Sequence, residues 1–133
     1  MELKLSLPQQ ALTLLEGKDM IKFQFLYNSL QNFPSCHAGT IIQLQSGEYL
    51  AAFYAGTHEG HEDVAIFLSR KSSLSASWSE PILLINTPGK PEGNPVLWVN
   101  SQSRISLFYV TQQRHGWDYV LMYDIFSEDD GHT

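Results

Sequence analysis

The 133-residue sequence predicts an all-β chain: an incomplete β-propeller of about two four-stranded antiparallel blades. Three observations predict it. Strand-like segments recur about every 8 to 12 residues. Turn residues separate them, and the whole pattern returns at an offset of about 55 residues, close to the length of a propeller blade. Strand spacing alone admits a sandwich, a barrel or a propeller. The repeat selects the propeller, with a plain β-sandwich as the alternative.

Residues 1–32 read as an N-terminal arm and first strand. A short helix from Pro8 to Glu16, closed by Gly17, and a simple arm fit the first twenty residues about equally. Ile21 to Tyr27 alternates apolar and polar residues, as a strand does. Gly39 to Leu44, the turn Gln45-Ser46-Gly47-Glu48 and Tyr49 to Ala55 form a hairpin, with Gly47 supplying the turn. Val64 to Ser69 is apolar on both faces and is therefore expected to be covered on both. Glu80 to Ile85 completes four strands. A second group follows: Pro95 to Val99, a turn at Asn100 to Ser103, Ile105 to Val110, and Tyr119 to Phe126. Ile42–Phe53 and Val96–Phe108 are the two copies of the repeat, each a strand, a polar turn and a strand ending in an aromatic.

Composition bounds the function. A hydrophobic fraction of 43% supports a packed core in one domain. The net charge of -6 and the presence of only Arg70, Arg104 and Arg114 as arginines argue against nucleic acid and anionic membrane as partners. No apolar run reaches the roughly 18 residues of a spanning helix, and the N-terminus carries no evident signal peptide. The single cysteine, Cys36, excludes an internal disulfide framework, so a cytoplasmic, reducing setting is the default. No cofactor is expected. His58-x-x-His61 with Glu59, Glu62 and Asp63 suggests a metal site, but the helical His-Glu-x-x-His pattern is missing and glycines flank the loop, so none is expected.

An ordered series of short motifs carries a family resemblance: Pro34 to Ile41, Gly47, Leu50 to Phe53, Gly56-Thr57-His58-Glu59-Gly60, Asp63 to Ile66, Ser69-Arg70, Trp78-Ser79-Glu80-Pro81 and Asn94 to Leu97. The last seven residues, Ser127 to Thr133, spell Ser-x-Asp-x-Gly-x-Thr. From about Phe33 onward the chain resembles the sialidase-like (neuraminidase-like) Asp-box, or BNR, repeat propellers, in the branch named for exo-α-sialidases. The resemblance implies a sialidase-type domain over 33–133, of which only the N-terminal blades are present. Because the last motif stops before its Trp, a truncated reading frame is expected. Fewer than two blades would leave open strand edges, so self-association through them is the other expectation.

Two departures stand out. The first box, Lys71 to Trp78, keeps its Trp but has serines where the Asp and Gly belong. The family's substrate-gripping arginine on the first inner strand is replaced by His37. The resemblance implies that the loop after the second strand supplies the acid/base carboxylate, which makes Glu59 and Asp63 the catalytic candidates; a solvated acidic loop is the plainer reading. His37, Arg70 and Asn94 are the substrate-binding candidates. For each, an ordinary role is open: a strand-start hydrogen bond, an ion pair and an Asn-Pro turn respectively. Cys36 is read as a buried thiol, pointing opposite to His37 on an extended chain. Trp78, Trp98 and Trp117 are read as packing residues. The implied function is a sialidase-like glycoside hydrolase fragment acting on sialic acid or a related acidic sugar, inactive alone because the opposing catalytic groups come from later blades. The alternative is a non-catalytic glycan- or protein-binding fragment.

Overall fold

The computed structural model describes residues 24–26, 33–114 and 116–133. The expected helix at Pro8–Glu16 lies outside them, as does most of the expected strand at Ile21–Tyr27, and residues 24–26 are not in a strand. Seven strands form two antiparallel sheets. β1 (Ser35–Gln43), β2 (Tyr49–Gly56), β3 (Ala65–Lys71) and β4 (Ile82–Ile85) follow one another across the first. β5 (Glu92–Val99), β6 (Ile105–Gln112) and β7 (Val120–Ser127) make the second. This is the expected all-β class, with a complete four-stranded sheet and three strands of another.

The sheets pack face to face. Alternation sends Leu50, Ala52 and Tyr54 of β2, with Ile66 and Leu68 of β3, against Leu97, Ile105 and Leu107 of the second sheet. Removing Leu50 and Ile66 from water stabilises the fold by roughly 1.5–3 kcal/mol per side chain. The opposite face of the same strands, Phe53, Ala55, Ala65 and Phe67, is covered by Leu26 and Phe33. β3 is thus buried on both faces, as its continuous apolar run requires. The second sheet turns its other face outward, where Val96, Trp98, Met122 and Phe126 are exposed. Trp98 therefore departs from the packing role expected of it.

The repeat is written into the backbone. β1 carries a bulge between His37 and Thr40, and β5 one between Gly93 and Val96. At the same point of each bulge a non-glycine residue takes positive φ: Ala38 at 45° and Asn94 at 47°. The two hairpin turns also match. Leu44 donates to Glu48 at 2.8 Å as Asn100 donates to Arg104 at 3.0 Å. The left-handed position is Gly47 in the first turn and Ser103 in the second. Asn100 offsets the strain at Ser103 by accepting from the amides of Gln102 and Arg104, each at 2.9 Å. The bulges also explain why β1 and β5 begin earlier than alternation predicted, since an extra residue breaks the period of two.

Each third strand ends in an Asp-box turn. In the terminal one, Asp129 Oδ1 accepts from Ser127 Oγ at 2.6 Å and from the amides of His132 and Thr133, while Oδ2 accepts from Thr133 Oγ1 at 2.7 Å. The Ser127 and Thr133 hydroxyls, then the Thr133 amide, hold the Asp129 carboxyl far below its ordinary range. In the degenerate box serines take over. Ser72 Oγ accepts from Leu74, Ser75 Oγ bonds Ser77, and Ser79 pairs with Arg70 backbone. Trp78 packs at a tilt on Tyr49, with centroids 6.5 Å apart.

Polar bonds tie the sheets together. Leu97 N donates to Thr40 Oγ1 at 3.2 Å, and Glu92 N to the Val64 carbonyl at 3.0 Å. The Glu92 side chain is 1% exposed, and its carboxylate accepts from Thr87 N at 2.9 Å and Thr111 Oγ1 at 2.5 Å.

Two outcomes are expected from this construction. Glu92→Ala orphans a buried amide and hydroxyl and lowers unfolding free energy by about 2 kcal/mol in urea titrations; an unchanged midpoint would refute this account of Glu92. Asp129→Asn lowers the melting temperature at neutral pH. Because the folded carboxyl titrates below its ordinary value of 3.8, its stabilisation is present above that value and lost as the pH falls below it. The variant should therefore lose part of the acid-side decline in melting temperature, and parallel curves for the two proteins would contradict this.

Candidate functional site

The start of β1, the end of β2 and the loop at 57–63 meet at one end of the first sheet. Antiparallel register pairs His37 with Tyr54, immediately before the β1 bulge. Their rings stack with centroids 5.4 Å apart. Ser35 Oγ lies 2.6 Å from His37 Nε2, on the same face two residues earlier. Tyr54 Oη donates to Glu59 Oε1 at 3.3 Å. A connected row of polar groups thus runs from Ser35 through His37 and Tyr54 to the exposed Glu59 carboxylate. Burial, reinforced by the charge and hydrogen bond of Glu59, pushes the Tyr54 phenol up to about 12, so at neutral pH it remains a donor.

Asp63 is engaged differently. Its oxygens accept from Thr57 N at 3.0 Å and Thr57 Oγ1 at 2.6 Å, and His61 Nδ1 lies 2.7 Å away. Burial acts to raise its pKa, but the Thr57 hydroxyl and amide, and then His61, outweigh burial and hold it below the ordinary value. Gly56 permits this closure, since a Cβ there would lie 2.7 Å from Asp63 Oδ1. Asp63 therefore clasps the loop that presents Glu59. His58 meets His61 edge-on, with centroids 5.0 Å apart.

The substrate-binding candidates separate. His37 joins the Glu59 row. Asn94 is exposed in the β5 bulge, at the position that Ala38 holds in β1. Arg70 sits opposite Leu50, at the far end of β2 from Tyr54. Its guanidinium bonds Glu48 Oε2 at 3.0 Å and the Asp130 carbonyl of the terminal Asp box. Cys36 is exposed rather than buried, because it lies on an edge strand; partial shielding of its thiol raises its pKa.

Sequence reading missed Tyr54 and Ser35. Tyr54 lies in the aromatic-rich β2, two residues before its end at Gly56, a context that reads as core, and only its pairing with His37 and its bond to Glu59 show its polar tip at the site. Trp117, exposed at 42%, covers Gly93, where a Cβ would lie 2.4 Å from the indole.

Paired antiparallel sheets, repeated bulges and Asp-box turns define a repeat protein of the Asp-box kind. The chain belongs to the BNR repeat-like domain family, whose model matches residues 47–133. No curated protein matches the chain.

Because burial and Glu59 raise the Tyr54 pKa, the associated stabilisation is complete below the ordinary tyrosine value of 10.0 and is lost as the pH rises through about 12. In ultraviolet difference titration, Glu59→Gln should move the highest tyrosine transition downward and Tyr54→Phe should remove it. An unmoved transition in Glu59→Gln would break the link between the two residues.

Proposed function

We propose that the Ser35–His37–Tyr54–Glu59 row is a carbohydrate-binding site of sialidase-like descent, and that it binds an acidic sugar such as a sialoside without cleaving it. The observation that carries this reading is the Tyr54–Glu59 hydrogen bond beside the stacked His37. It leaves a carboxylate, oriented by the buried Tyr54 phenol, and a half-buried imidazole at one open edge. Such groups hold sugar hydroxyls through directional bonds and a ring face.

Hydrolysis is the second reading, with Glu59 as the acid/base group. The sialidase-like resemblance favours it, and the state of Asp63 weighs against it. A glycosidase acid needs a raised pKa and a second carboxyl or equivalent nucleophile across the ring, whereas Asp63 is held low by Thr57 and His61. Arg70, committed to Glu48 and Asp130, supports the turns rather than the sugar carboxylate.

A fluorogenic sialoside assay, run beside a binding titration with sialyllactose, separates the readings. The expected outcome is no turnover, with binding weakened about tenfold by Glu59→Gln or His37→Ala, equivalent to about 1.4 kcal/mol. Turnover abolished by Glu59→Gln would replace the binding reading with the hydrolytic one. Binding indifferent to both substitutions would remove the site from this loop.

A further inference from the structure

A cavity of about 350 Å³ lies between the 57–63 loop and the second sheet, lined by Gly60, Glu62, Lys90, Pro91, Gln112 and Arg114. The Gln112 side chain is 1% exposed, yet neither its Oε1 nor its Nε2 has a hydrogen-bond partner. A buried primary amide with both ends unsatisfied is costly and calls for a group that completes it.

The charges around it point to the kind of group. Among the described residues, neither Lys90 nor Arg114 is within ion-pair distance of a carboxylate, in a chain of net charge -6. Lys90 Nζ donates to Gln113 Oε1 at 2.6 Å, which leaves two of its three protons for a ligand. The Arg114 guanidinium lies 5.5 Å from the centre of the Tyr119 ring, a contact that leaves its N–H edge unused. The floor is rigid: Gln112 N donates to the Pro91 carbonyl at 2.9 Å, and buried Glu92 fixes both Thr87 and Thr111.

We propose that this cavity binds a small hydroxylated carboxylate, of monosaccharide-acid size. The carboxylate takes Lys90 and Arg114, and ligand hydroxyls take the Gln112 amide. A bare carboxylate only accepts and would leave Oε1 without a donor, whereas a hydroxyl serves both ends. Two cations against Glu62 favour a single negative charge over a phosphate dianion. The volume, at the small end of ligand sites, suits one ring. The proposal does not rest on the function assigned to Glu59.

The test is an NMR titration of the whole chain with D-glucuronate, D-glucose, acetate and inorganic phosphate, read at the Gln112 side-chain amide. Glucuronate should saturate the site, with the other three at least about tenfold weaker, and added salt should weaken it. Lys90→Met and Arg114→Met should each weaken glucuronate, and Gln112→Leu, read instead at the side-chain amide of the neighbouring lining residue Gln113, should reduce it to the level of acetate. Lys71→Met, which removes a cation bonded to Gln24 at the other end of the first sheet, should leave it unchanged, and a signal read at this cavity rather than at the Glu59 row separates failure here from failure of the Glu59 reading. Arg114 is exposed, so its variant tests the site even if Gln112→Leu does not fold. The proposal is overturned by a silent Gln112 amide, by glucose or phosphate matching glucuronate, or by full affinity in both cation variants.

Discussion

Burial of β2 and β3 on both faces is the constraint on which the structure depends. One face meets the second sheet through Leu50, Ala52, Tyr54, Ile66 and Leu68; the other is closed by Leu26 and Phe33 over Phe53 and Phe67. A strand buried in this way has no free choice of register, because a one-residue slip would exchange two different apolar environments along its whole length. That fixed register carries Tyr54 to the end of the stripe opposite His37 and puts Arg70 opposite Leu50 at the other end. The separation of the site from the structural arginine thus follows from packing in the middle of the sheet.

The sequence disclosed the strands and turns well because those signals are local. Gly47, the aromatic-rich β2 and the Ser127–Thr133 motif each act over a few residues, and each appears where expected. The serines of the degenerate box also cap its turn. The starts of β1 and β5 were obscured, because Ala38 and Asn94 interrupt the alternation that marks a strand. Their shared positive φ is invisible in residue identity, since one is an alanine and the other an asparagine.

The candidate site was legible in part. The family resemblance drew attention to Glu59 and Asp63, but charge alone could not distinguish a carboxylate presented to solvent from one clasped by Thr57 and His61. That difference depends on hydrogen bonds to groups six and two residues away, and on the room left by Gly56. Glu92 and Gln112 passed unnoticed for a related reason. A glutamate and a glutamine in strands ordinarily read as surface, and only the meeting of the sheets buries them.

The bonds between the sheets act at separate heights. Glu92 N holds Val64 near the loop end, Leu97 N holds Thr40 midway, and Arg70 reaches the Asp130 carbonyl near the Asp-box end. A force drawing the sheets apart therefore loads these latches in parallel rather than one after another. Tilting one sheet against the other stretches the outer latches in opposite senses. The pair should behave mechanically as one plate, so that strain introduced at the loop end is felt at the Asp box rather than absorbed between the sheets.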